Sequence, residues 1–185
     1  MAALDKNGLP IIHRFVTDHN KEGKAIFNKD IEEVLPWNDR HNTVRFGLGY
    51  TTTQTPVELG NGVDIENYKA HQQNPPGIMI PGGSVLRYVD VPPGHVSEMH
   101  RTVSLDFGVV LEGVIDLVLD SGEVRRMNRG DVAIQRGTNH EWRNASNDQW
   151  ARMMYVLQEA KPILIDGRQL GEDYGGMQDV KPSGG

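Results

Sequence analysis

Short stretches of alternating apolar and polar residues dominate the second half of the chain. Strands are predicted at 84–91, 98–102, 106–112, 114–120, 123–127, 131–135, 140–144 and 150–158, each bounded by Gly, Pro, Asn or Asp. Asp120-Ser121-Gly122-Glu123 reads as a hairpin turn. Strands this short and this densely punctuated predict a sandwich or barrel. The first half is less regular. Ile11 to Asp18 reads as a strand, Asn20 to Gly23 as a turn, and Lys24 to Phe27 as the start of the returning strand. Ile31 to Trp37 fits either a short strand or a loop. Thr43 to Thr53 reads as a strand with Val44, Phe46, Leu48 and Tyr50 on one face. Gln54 to Pro81 is rich in Asn, Gln, Gly and Pro and reads as a long irregular segment with a helical turn near 64–71. Loops of that length in a compact domain often form lids or interfaces. A helix is predicted near 166–173, ahead of a Gly-rich end expected to be disordered. The organisation expected is N-terminal strands and a long loop (1–83) packed on a core (84–158), with a C-terminal extension and flexible tail (159–185).

Composition narrows the class. A length of 185 residues suits one domain, and 21 Gly with 10 Pro suit a turn-rich β protein. The net charge of −6 and the lack of a basic patch argue against a nucleic-acid partner. The chain has no Cys, which excludes disulfides and thiolate chemistry. Any metal must then use His, carboxylate or water, a ligand set suited to Fe, Mn, Zn, Ni or Cu. No apolar run approaches the roughly 18–20 residues of a membrane span. Met1 to Lys6 lacks a signal-peptide apolar region, so no membrane partner and a cytoplasmic location are expected.

Two spaced motifs carry the chemistry. The first places Gly94, His100, Thr102, Asp106 and Gly113 at set intervals; the second places Gly130, Gly137, His140 and Asn144. Residues 84–158 with these motifs resemble the cupin superfamily, small β-barrels of the jelly-roll type. The resemblance implies an all-β fold: a single jelly-roll barrel, here with added N-terminal strands and a short C-terminal helix. The chain departs from the family pattern. Thr102 stands where a second His would be, Asp106 where a Glu would be and Gln135 where a Pro would be, and the first interval of the second motif is one residue short.

Residues two apart in a strand share a face, so His100 and Thr102 are expected to point into the barrel and Arg101 away from it. Asp106 would enter from the next strand and His140 from the second motif. Two imidazoles and a carboxylate from three strands would make a facial triad of His100, Asp106 and His140 able to hold Fe, Mn or Zn. The alternative is a metal-free or weakly metal-binding site in which His100, His140 and Asp106 move protons. Thr102 is a poor ligand and is expected to hydrogen-bond a metal-bound water or the substrate. No nucleotide cofactor is expected.

Other residues carry a bland reading beside the functional one. Arg87, counted back from Val91 through Val89, should face inward, either to bind a substrate oxyanion or to form a salt bridge at the barrel mouth. Gln135 is a substrate-binding candidate or a structural amide. Trp142, two residues after His140, walls the pocket or packs in the core. Tyr88 and Tyr155 carry the same two readings. His13, His19, His41, His71 and His95 read as surface groups, and Asn144 as a turn or strand-end residue.

The resemblance extends to a subgroup of small fungal cupins, some near natural-product pathways. It implies a small-molecule substrate and a homodimer. Three functions are carried forward. The first is a lyase or isomerase acting by dehydration, decarboxylation or enolisation of an oxygenated carbonyl or hydroxy compound. The second is an Fe(II)-dependent oxygenase, and the third a non-catalytic small-molecule-binding cupin.

Overall fold

A computed structural model describes residues 3–39, 44–177, 181 and 183. His41 and part of the C-terminal end lie outside the described residues. Thirteen strands and one α-helix are described: β1 (Thr17–His19), β2 (Ala25–Phe27), β3 (Asn38–Asp39), β4 (Arg45–Thr52), α1 (Val63–Gln73), β5 (Ser84–Val91), β6 (Ser104–Glu112), β7 (Ile115–Leu119), β8 (Val124–Met127), β9 (Val132–Arg136), β10 (His140–Asn144), β11 (Ala151–Glu159), β12 (Ile163–Ile165) and β13 (Arg168–Leu170).

Two sheets form the body. The larger has six strands in the order β3-β4-β5-β11-β6-β9, and the smaller runs β10-β7-β8; every pairing is antiparallel. Both sheets supply the main apolar cluster. Val89, Val110, Ala133 and Met153 come from the larger, Ile115, Met127 and Trp142 from the smaller. Strand periodicity dictates this. In β6 the buried side chains Ser104, Asp106 and Val110 alternate with Leu105, Phe107 and Val109, and β9 buries Ala133 and Gln135 between exposed neighbours.

Two polar contacts fix where the motif strands turn. Asn144 is buried and donates its amide to the carbonyls of Val91 (3.0 Å), Pro92 (3.1 Å) and Gln149 (2.8 Å), which confirms it as a strand-end residue. Gly113 sits at φ +78° between β6 and β7, where a Cβ would lie 2.8 Å from the Ala151 side chain, so both conformation and space require glycine.

The outer face of the larger sheet is also covered. Asp90 is fully buried on β5 and lies directly across from Arg152 on β11 and Arg45 on β4. Arg152 grips it with two bonds of 2.6 and 2.8 Å, and Arg45 lies 3.5 Å away. The N-terminal segment completes the cluster. Asn7 donates to Asp90 at 2.7 Å, Asp5 pairs with Arg45 at 3.0 Å, and the Pro10 carbonyl accepts from Arg152. The ring of Trp37 lies 4.9 Å from each guanidinium.

Several elements differ from the sequence reading. Of the predicted 11–18 strand only Thr17 and Asp18 pair regularly, as part of β1. Residues 12–14 instead hydrogen-bond the loop at 33–35, through Arg14 to Glu33 and Leu35 to Ile12. This resolves 31–37 as a loop carrying one bridge, Val34 to His13. The helical turn in the long segment is the three-turn helix α1. It buries Ile65 and Tyr68, and the Tyr68 hydroxyl caps the Leu48 carbonyl of β4 at 2.8 Å. The predicted strand at 98–102 makes only single bridges, His100 to His140 and Arg101 to Asp173. The short C-terminal helix at 166–173 is absent, and the hairpin β12–β13 stands there. Asp166 and Gly167 both take positive φ (50° and 76°), the turn that joins two strands closely, and Ile163-Leu164-Ile165 has strand chemistry.

Removing one member of the buried ion cluster strands a charge. Arg152→Met is expected to lower the unfolding free energy by about 3 kcal/mol, with the double variant Arg152→Met/Asp90→Leu recovering a large part of that loss, as read by urea denaturation.

Candidate active site

The structure brings His100 and His140 together. Their backbones form a two-bond bridge (2.8 and 2.9 Å), and their ring centroids lie 4.3 Å apart with 50° between planes. Each Nδ1 lies on a backbone carbonyl, His100 on Glu98 (2.8 Å) and His140 on Thr138 (3.0 Å). A carbonyl only accepts, so Nδ1 carries the hydrogen in both rings and the lone pair sits on Nε2. Burial pushes both imidazoles below their ordinary value. His140 falls to about 4, with the neighbouring His100 adding to the effect and the Thr138 carbonyl opposing it. His100 shifts the same way, opposed by the Glu98 carbonyl. Both are therefore neutral bases at pH 7.

His140, Trp142 and Tyr155 continue as an edge-to-face stack across the two sheets, with centroids 5.4 and 5.7 Å apart. Trp142 therefore packs in the core, edge-on to the His140 ring. Tyr155 fits because Gly108 faces it across β6–β11; a Cβ there would lie 3.0 Å from the ring. Tyr155 is a neighbour of the site for which the sequence offered only a core reading as the stronger one.

Asp106 and Gln135 are paired across β6–β9, and both are buried. Asp106 belongs to a hydroxyl cluster. Ser104 donates to Thr102 at 2.7 Å, and Thr102 makes a long contact of 3.4 Å to one Asp106 oxygen. The other oxygen, Oδ1, has no hydrogen-bond partner among the described residues. Burial raises Asp106 to about 6, against the pull of the Ser104 and Thr102 hydroxyls. Thr138 donates to Oε1 of Gln135, which orients the amide, and Nε2 has no partner among the described residues. Thr138 thus holds His140 with its carbonyl and Gln135 with its hydroxyl. Thr102 points into the cluster around Asp106.

Arg87 lies across from Tyr155 and Leu48, on the inward face expected for it. Its guanidinium donates to the Gly77 carbonyl at 2.9 Å and sits 6.0 Å from the Phe46 ring, which ties the segment after α1 to the sheet. His71 is not a free surface group: its Nδ1 lies 2.9 Å from the buried Thr51 hydroxyl.

Two neutral imidazoles with Nδ1–H on carbonyls and Nε2 unprotonated fit a divalent metal ion, since ligating His residues are held in that way. Among the described residues no three His, Cys, Asp or Glu side chains gather into one metal-holding group.

The family model described as "Cupin domain" matches residues 87–157. Phomopsin biosynthesis cluster protein D of Diaporthe leptostromiformis is 56% identical, over 93% of this chain and 92% of that protein. This chain belongs to the cupin family. Oryzines biosynthesis cluster protein J of Aspergillus oryzae is 46% identical to this cupin, over 95% of it and 98% of the relative. The cupin-domain-containing oxidoreductase srdB of Neurospora crassa is 39% identical, over 91% and 84%. No described helix of the cupin is long and apolar enough to cross a membrane.

The opposed shifts of Asp106 and His140 have a measurable consequence. Between pH about 4 and 6 the folded cupin holds the Asp106 proton that the unfolded chain has lost, so this group's contribution falls as pH rises. Between about 6.5 and 4 the unfolded chain protonates His140 while the folded one does not, so the contribution of His140 falls as pH falls. The two slopes oppose each other. Asp106→Asn removes one of them, and by urea unfolding it is expected to be more stable than the parent by about 2–3 kcal/mol at pH 7 and equal to it at pH 4.

Proposed function

We propose that this cupin is an enzyme of secondary metabolism that moves a proton on a small oxygenated carbonyl or hydroxy compound, as a lyase or isomerase. The observation that carries this reading is the pair of neutral imidazoles, His140 buried and His100 half-buried, each pinned at Nδ1 and basic at Nε2. Buried bases of fixed tautomer suit abstraction of a proton beside a carbonyl. His140, the more deeply buried, takes that proton. The Gln135 amide, oriented by Thr138, offers N–H donors to the oxygen on which charge develops. Asp106, raised to about 6, is protonated in a useful fraction near neutral pH and returns a proton to oxygen or carbon. Arg87 adds positive charge to the same inward face. A divalent ion of the Fe, Mn or Zn class on His100 and His140 would occupy these same Nε2 lone pairs; it would supply Lewis acidity in place of the His140 base and leave proton movement to Asp106. The names of the phomopsin and oryzine cluster relatives support a role in a biosynthetic pathway.

A second reading, an oxidoreductase of the Fe(II) oxygenase type, is favoured by the names of relatives at 39–40% identity. One experiment separates the readings. The purified protein is incubated in deuterium oxide with α-hydroxy and 1,3-dicarbonyl compounds, with C–H exchange followed by NMR and dissolved oxygen by electrode. Exchange without oxygen uptake is expected, and His140→Gln should slow it by about 100-fold or more. Oxygen uptake that requires substrate, without exchange, would move the protein to the oxidoreductase class. Neither signal would leave a binding role.

A further inference from the structure

Outside the imidazole pair lies a groove of about 190 Å3 between the rim of the sandwich and the C-terminal hairpin. Its apolar wall includes Ile163 and Leu170 of β12 and β13, with Val103 and Leu105 opposite. Its floor is the Gly137 turn, where φ is +62° and the position of the missing Cβ lies 3.6 Å from Ile163 Cδ1. The only charged lining residues are two exposed cations, Arg136 and Lys161. Neither forms an ion pair among the described residues. The carboxylates next along these strands are committed elsewhere. Asp106 faces inward with Val110, and Glu159 accepts the Gly82 N–H at 2.7 Å. In a chain of net charge −6, an apolar recess with two cations and no anion is a local reversal of sign.

The groove also backs onto the site. Thr102 and Ser104 line it, and their hydroxyls lead to Asp106. Gly137 precedes Thr138, which holds both Gln135 and His140.

We propose that this groove binds a small organic anion with an apolar, ring-sized body, its carboxylate between Arg136 and Lys161. An apolar cavity of about 150 Å3 accepts benzene, which sets the size of the body. A guanidinium fork matches a carboxylate, and the ammonium adds a second point charge. The identity of this anion as part of the substrate rests on the proton-transfer reading; its binding does not.

The probe is phenylacetate, titrated into the full-length protein while the Ile163 Cδ1 methyl signal is followed by NMR. 2-Phenylethanol keeps the ring without the charge, and acetate keeps the charge without the ring. Phenylacetate should bind at least about tenfold tighter than either. The surface double variant Arg136→Gln/Lys161→Gln should lose about tenfold in phenylacetate affinity while binding 2-phenylethanol as the parent does. Equal affinity for phenylacetate and 2-phenylethanol, an unchanged double variant, or an Ile163 signal that phenylacetate does not move would each overturn the proposal. None of these results alters C–H exchange in deuterium oxide, so the two readings fail separately.

Discussion

The larger sheet depends on keeping one buried carboxylate neutralised. Asp90 has no contact with water, and a charge there is tolerable only with cations fixed against it. Strand register supplies them, since Arg45, Asp90 and Arg152 stand in a row across β4, β5 and β11. Such a row would be solvated on an open sheet. The N-terminal segment seals it through Asp5, Asn7, Pro10 and the Trp37 ring between the guanidiniums. The first forty residues are therefore part of the fold. They make the sheet two-sided, which is why Val89, Asp90 and Val91 are buried in succession instead of alternating with exposed positions.

On the other face of the same strands the logic is reversed. That interior holds groups that are cheapest to bury when uncharged: two neutral imidazoles, an amide, hydroxyls and a carboxyl whose proton is retained to about pH 6. The outer face spends its ion pairs on holding strands, whereas His100, His140 and Asp106 on the inner face form no ion pair among the described residues. The aromatic stack from His140 to Tyr155 bridges the sheets, so movement of the base is opposed by packing as well as by hydrogen bonds.

Much of this was legible in the chain. Strand spacing from residue 84 onward placed β5 to β11 close to their observed limits, because short antiparallel strands alternate cleanly and their turns demand Gly, Pro or Asp. Motif intervals picked out His100, His140 and Asp106, and counting by twos put Arg87 on the inward face. The C-terminal hairpin was hidden by an ambiguous run, although Asp166-Gly167 was the signal that would have found it. The bridge-like course of 98–102 was hidden because isolated pairings leave no periodicity. The Asp90 cluster was hidden for a different reason. Its members are far apart in sequence, and Asp90 and Arg152 both lie within runs that read as ordinary strand.

The sequence alone thus determined the strand pattern, the candidate imidazoles and the presence of Thr102 where the first motif would carry its second His. The strand pattern follows from local geometry, a period of two residues and fixed turn chemistry; the imidazoles and the Thr102 departure follow from the resemblance of the two spaced motifs to those of cupins. Only the tertiary structure decided which of those groups meet. It set His100 against His140, drew Asp106 into the hydroxyls of Thr102 and Ser104, and gave Gln135 its orientation through Thr138. Contact between side chains depends on strand register and on what covers each face, and neither is written in the spacing of residues along one strand.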